Sequence, residues 1–122
     1  MNAYNDLRDY LEKGEKVEAV VFGGWGWSGY SEPGRKEDWD GNTIFDNPPV
    51  PRNKRGIVLP IKEARKYMTG WAFYGGYGSP DCYATYIWTN QRVIWVTQYD
   101  GSTRLDSAPR NPIDIIPNMP GG

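Results

Sequence analysis

Two runs rich in β-branched and aromatic residues, Tyr83 to Thr89 and Arg92 to Tyr99, flank the dipeptide Asn90-Gln91. No other feature limits the fold so tightly. Asn tolerates positive φ, so a two-residue turn fits and the runs close as a β-hairpin. Side chains alternate along a strand, so the turn also fixes which residues share a face. Ile87, Ile94 and Val96 fall on one side; Tyr86, Trp88 and Trp95 fall on the other. The aliphatic side is expected to meet helices. The aromatic side is too apolar to stand in water, so a second subunit, the 23–56 segment or a ligand is expected to cover it.

The rest of the chain supplies partners for that hairpin. Residues 4–13 place Tyr4, Leu7 and Leu11 on one helical face, and Gly14 is a natural residue after a helix end. Val17 to Phe22 reads as a strand. Residues 23–56 read as irregular, with Thr43-Ile44-Phe45 as a short strand, and 31–56 as a long loop region. Ile57-Val58-Leu59 reads as another short strand. Pro60 to Thr69 reads as a second helix, with Ile61, Ala64 and Met68 on one face and Gly70 behind it. Trp71 to Tyr74 reads as strand-like. Residues 100–111 read as turn, short strand and loop, and 112–122 as a Pro/Gly-rich tail. The expected fold is a single α+β domain over 1–122. It has a mainly antiparallel twisted sheet, two short helices and long Gly/Pro-rich loops.

Composition narrows the chemistry. The 122 residues contain no histidine and one cysteine, Cys82. His-based acid/base catalysis, Ser-His-Asp triads and the common zinc sets are therefore excluded. One cysteine allows no intrachain disulfide and favours a reducing, cytoplasmic setting. No signal-peptide pattern or membrane-length apolar run is present, so no membrane association is expected. The net charge is −1. That argues against a bulk nucleic-acid binder, which carries a basic footprint. Six Trp and nine Tyr are many for this length, so aromatic rings carry much of the packing and some reach the surface.

Several motifs lose their first meaning in context. Gly24, Gly26 and Gly29 match G-x-G-x-x-G after a strand. The chain then runs Tyr30-Ser31-Glu32-Pro33-Gly34, which cannot open the helix a dinucleotide turn requires. The glycines and tryptophans read instead as a turn whose rings fill the core, or as a close approach to a ligand on which Trp25 or Trp27 stacks. Asp38-Trp39-Asp40-Gly41-Asn42 lacks the glycine and glutamate positions of a calcium loop. Cys82 beside Asp81 reads as a small buried hydrophobe, because a neighbouring carboxylate disfavours the thiolate. The terminal Gly121-Gly122 follows no β-grasp order. Arg52-Asn53-Lys54-Arg55 is a short basic run in an otherwise acidic chain.

The C-terminal region carries the residue types that recognise nucleotides. Arg92, Arg104 and Arg110 offer forks for phosphate; Thr103 and Asn111 offer hydrogen bonds to ribose or base; Tyr99 offers a stacking face. With Trp25 and Trp27 these form the candidate ligand site; no cofactor, metal or catalytic residue is expected. The start of the chain, Leu11-Glu12-Lys13-Gly14-Glu15-Lys16-Val17 followed by a strand and Gly24-Trp25-Gly26, resembles a family of small phage-encoded Thoeris anti-defence proteins. The resemblance implies a homo-oligomeric sponge that sequesters a cyclic ADP-ribose-type signal, with Trp25 as a ring-stacking residue. The expected function is thus non-enzymatic capture of a nucleotide-derived signalling molecule. The alternatives are a phage inhibitor or structural protein with an aromatic protein interface, and a nucleotide hydrolase using Asp100 or Asp106.

Overall fold

The computed structural model describes residues 2–26, 33, 35–37, 39–46, 49–73, 82–99 and 102–111. The elements are α1 (Ala3–Tyr10), β1 (Val17–Trp25), β2 (Arg35–Glu37), β3 (Thr43–Asp46), α2 (Ile61–Ala64), β4 (Tyr83–Thr89), β5 (Arg92–Tyr99) and β6 (Ser102–Pro109). Four strands form an antiparallel sheet in the order β1-β4-β5-β6, and β2 pairs with β3 in a separate hairpin. The fold is α+β, as the sequence implies.

The β4–β5 hairpin forms in the expected register. Tyr86 opposes Trp95, Ile87 opposes Ile94 and Trp88 opposes Val93. The turn is held by Thr89, whose hydroxyl accepts from the backbone N–H groups of Gln91 and Arg92 at 3.1 and 3.0 Å. Asn90 docks the tip: its Oδ1 accepts from the Lys16 N–H, and its own N–H donates to the Lys16 carbonyl.

The inner face of the sheet contributes Val20, Phe22, Thr85, Ile87, Ile94 and Leu105, all buried. Ala3 and Leu7 of α1 and the segment from Ala64 to Phe73 join the same core. α1 is tied to that segment by hydrogen bonds from Ala3 N to the Trp71 carbonyl (2.6 Å) and from Tyr4 N to the Met68 carbonyl (3.1 Å). Its start is capped by the Asn2 carboxamide, which accepts from Asn5 N.

Several elements differ from expectation for identifiable reasons. α1 stops at Tyr10, because the Glu15 carboxylate takes the Glu12 N–H at 3.0 Å and Leu11 is already extended. A side chain that bonds the backbone locally competes with the helix. β1 runs past Phe22 to Trp25, so Gly23 and Gly24 lie in a strand and not in a turn. Gly23 sits there because a Cβ would come within 3.1 Å of the Ala84 Cβ. The 23–56 region contains the β2–β3 hairpin and a 3₁₀ turn at Arg52–Lys54. Only Leu59 of 57–59 pairs, in a single bridge to Val20. The second helix is α2 continued by a 3₁₀ turn, Arg65–Tyr67. Trp71 to Phe73 is buried coil, since Phe73 N donates to Asp6 Oδ2 (2.8 Å) and not to a strand. β6 is a full eight-residue strand where a short one was expected.

Among the described residues no helix is long and apolar enough to cross a membrane.

Candidate functional site

The structure does not bring the eight expected ligand residues into one cluster. β5 begins at Arg92 and ends at Tyr99, a span of about 23 Å at ~3.3 Å per residue. Arg92, Arg110 and Asn111 lie near its first end. Trp25, Tyr99 and Thr103 lie toward the other. Arg104 stands near the second end on the opposite face of the sheet, across from Thr97. Trp27 and the Tyr99 side chain lie outside the described residues.

Arg92 serves the interior of the protomer. Its Nε donates to Glu15 Oε2 (2.8 Å), one terminal nitrogen to Glu15 Oε1 (2.9 Å) and the Tyr10 carbonyl (2.8 Å), and the other to Ser107 Oγ (3.2 Å). The guanidinium also lies 4.5 Å from the Tyr10 ring centroid. Thr89 donates its hydroxyl proton to Glu15. Burial by itself raises the Glu15 pKa. Hydrogen bonds from Arg92, Thr89 and the Glu12 backbone, together with the Arg92 charge, outweigh burial and hold it below the ordinary carboxylate value. Arg110 is also engaged: it pairs with Glu18 and donates to the Thr89 carbonyl at 2.9 Å. Asn111 follows it, exposed.

The other end of the sheet is different. Trp25, at the end of β1, opposes Tyr83. Their ring centroids are 4.9 Å apart and nearly perpendicular, and Trp71 meets both rings edge-on at 6.5 and 5.3 Å. The Arg55 guanidinium lies 5.2 Å from the Tyr83 ring centroid and is steadied by the Val50 carbonyl at 3.0 Å. Val50 N in turn donates to the Tyr83 hydroxyl at 3.2 Å. A cation and a set of flat rings therefore do share a neighbourhood, but the cation is Arg55. The basic run 52–55 is the one sequence signal that points to it.

Two buried polar atoms belonging to expected site residues have no hydrogen-bond partner among the described residues: Trp25 Nε1 and Thr103 Oγ1. Both residues lie on the inner side of the sheet toward this end, but on its two opposite edge strands, about 14 Å apart at ~4.8 Å per strand spacing. Thr103 opposes Gln98 and alternates with buried Leu105, while Trp25 opposes Tyr83. Among the described residues, β4 pairs with β5 at Tyr86–Trp88 against Val93–Trp95. A third such atom, Asp6 Oδ1, sits beside Phe73, whose ring meets Trp71 edge-on at 5.1 Å. Buried indole N–H and hydroxyl groups ordinarily find partners, and each one left without costs about 1–3 kcal/mol.

The outer face of the sheet carries the expected aromatic group. Tyr86 is 52% exposed, and its ring lies 6.1 Å from Trp88 at a tilt of 35°. Trp95 opposes both Tyr86 and Asp106. Asp106 Oδ1 accepts from the Ser107 N–H, and the residue lies on this face, away from Trp25. Cys82 is buried.

Comparison with known proteins finds no matching family model, no matching curated protein and no matching solved structure.

Proposed function

We propose that the protein is a non-enzymatic binding protein that sequesters a nucleotide-derived signalling molecule, a cyclic nucleotide or ADP-ribose derivative. In this reading it acts as a phage counter-defence sponge in the host cytoplasm. One observation carries the reading: Trp25 Nε1 and Thr103 Oγ1 are buried without partners among the described residues, at the same end of the sheet where Arg55 stands over an aromatic ring. A guest with a flat base, hydroxyl groups and phosphate uses each of them. The base packs against Trp25 and Tyr83. The indole N–H and the Thr103 hydroxyl take its polar edge or its ribose, and Arg55 balances phosphate charge. Asp6 Oδ1 supplies an acceptor. Capture without turnover needs no general base, in keeping with a chain that has no histidine. The resemblance of the N-terminal region to Thoeris anti-defence proteins points the same way.

Calorimetry with a panel of cyclic nucleotides and ADP-ribose derivatives tests this, with mass spectrometry of the recovered ligand. One member of the panel is expected to bind and to be recovered intact. Arg55→Ala is expected to weaken it roughly tenfold or more, the scale of a lost charge-assisted contact. Trp25→Phe keeps a ring, loses the N–H, and should weaken it less. Absence of binding by every ligand at high micromolar concentration ends the proposal.

A homo-oligomer built on the outer face belongs to the same reading. Along the strands, Val21, Tyr86, Trp95 and Asp106 form one cross-sheet row. The next row contains Thr97 and Arg104, paired across β5 and β6. A two-fold axis lying between the rows sets large against small and Asp106 against Arg104 of the second copy. Sedimentation should give a dimer or higher state, and Tyr86→Lys with Trp95→Lys should give a monomer of unchanged fold. A wild-type monomer that captures a different protein through this face would instead favour the protein-interface alternative, which the exposure of Tyr86 also supports.

A further inference from the structure

A groove unrelated to the aromatic end opens between α1, the start of β1 and α2. It has a volume of ≈ 320 Å³ and is lined by Tyr4, Leu7, Arg8, Leu11, Lys16, Val17 and Ile61. Its floor is aliphatic: Leu7 is buried, and Leu11, Val17 and Ile61 pack against the core from its edge. Its rim carries Arg8 and Lys16, and Arg65 stands beside it on the Tyr4 ring. Arg65 lies 4.4 Å and Arg8 6.0 Å from the Tyr4 ring centroid, so two guanidinium groups flank one phenol. Lys16 adds a third positive charge.

Among the described residues, none of these three cations takes part in an ion pair. The pairs that hold other surface cations, Lys54 with Glu63 and Arg110 with Glu18, lie elsewhere. Packing on Tyr4 accounts for where Arg8 and Arg65 stand, but in a chain of net charge −1 it leaves their charges, and that of Lys16, without an ion-pair partner among the described residues. They raise the local potential where a tail would already be held by burial. The size selects the occupant. A helical partner needs an interface of about 1,000 Å² or more, and α1 has only eight residues. A groove of this volume stands at the lower end of small-molecule sites.

We propose that this groove binds a small amphiphilic anion, a single aliphatic chain of medium length ending in a carboxylate. The chain lies over Leu7, Leu11, Val17 and Ile61. The carboxylate sits at the rim between Arg8 and Arg65, or reaches Lys16. The site makes no bond to its guest and uses none of the residues placed around Trp25, so it stands or falls separately from the sequestration of a nucleotide.

The experiment is a methyl-detected NMR titration of the full chain with decanoate, kept below its micelle-forming concentration. Saturable shifts are expected at the methyl groups of Leu7, Leu11, Val17 and Ile61. Octanoate should bind roughly tenfold more weakly, because two fewer methylenes are buried. Decyltrimethylammonium has the tail but the wrong charge and should not bind. The double variant Arg8→Ala with Arg65→Ala changes two exposed side chains. It should keep the native spectrum and lose decanoate at least tenfold. The proposal is overturned by any of three results: no shift at these methyls, equal binding of the cationic amphiphile, or undiminished binding by the folded double variant. Binding of an acidic peptide but not of decanoate at the same methyls also overturns it.

Discussion

Replacing Arg92 by Ala is expected to cost about 3–5 kcal/mol of stability, the scale for removing one partner of a buried ion pair. The Glu15 side chain is fully buried, and Arg92 contacts it through two nitrogens while also tying it to Tyr10 and Ser107. Without the guanidinium, a carboxylate remains inside, compensated by Thr89 and a backbone N–H. Urea unfolding at neutral pH reads the loss. Glu15→Leu combined with Arg92→Met removes both charges and should recover most of it, because well-packed apolar groups replace such a pair at little cost. The pH dependence has a definite sign. Glu15 has a folded pKa below its ordinary value of 4.5. Its contribution is therefore complete above pH 4.5 and is lost as pH falls through that value toward the lower folded one. In Arg92→Ala, burial dominates and raises the Glu15 pKa, so protonation relieves the strain. The gap between the two proteins should narrow on acidification from pH 7 to pH 4. A gap that widens contradicts this role for the pair.

The second large effect is expected at Phe22. Its side chain is completely buried and meets Tyr67, Trp71 and Tyr83 edge-on, with centroids 6.4, 5.9 and 6.3 Å away. Phe22→Ala removes the ring on which three others pack and should cost about 3–5 kcal/mol. For a domain of this size the melting temperature should fall by roughly 10–20 °C. Tyr86→Ala, on the outer face of the same sheet, should cost the protomer only about 0.5 kcal/mol, any larger loss depending on protein concentration as an oligomer interface requires. A similar loss at both positions would mean that the inner face is not the main core. The Trp25–Tyr83–Trp71 group leans on the same ring, so Phe22→Leu should also disturb ligand capture if that group forms the site.

Much of the sheet is readable from local pattern. Thr89-Asn90-Gln91-Arg92 joins two β-rich runs by a two-residue link, and the count of two sets every pair from Tyr86–Trp95 to Trp88–Val93. Alternation also carries information beyond what the residue types suggest. Arg92 shares parity with Ile94 and Val96, which is enough to place it on the inner face, and Thr103 shares parity with Leu105. Charge alone makes Arg92 look like a ligand contact; parity makes it an internal cation that needs an acid. That acid, Glu15, lies 77 positions away, and nothing near Arg92 in sequence identifies it.

The candidate site is less readable for the same reason. Trp25, Tyr83, Trp71 and Arg55 come from four separated segments. Of these, Trp25 has a local context, a strand ending in Gly-Trp-Gly, that suggests a binding role, and Arg55 has the basic run 52–55. Trp71 and Phe73 resemble a strand by composition, since aromatic residues favour pleated surfaces. They form coil because α1 claims their backbone: the Trp71 carbonyl accepts from Ala3, and the Phe73 N–H goes to Asp6.

The sequence by itself determined the α+β composition, the hairpin with its register, and the division into an aliphatic and an aromatic face. These follow from turn length and from a period of two, both properties of neighbouring residues. Only the tertiary structure decided that Glu15 neutralises Arg92, that Arg55 and not Arg110 stands over the rings, and that the hydroxyl of Thr103 and the indole N–H of Trp25 are buried without partners among the described residues. Those outcomes depend on which distant groups meet in a low-dielectric interior, where a charge or a hydrogen-bonding group must find its complement or remain without one.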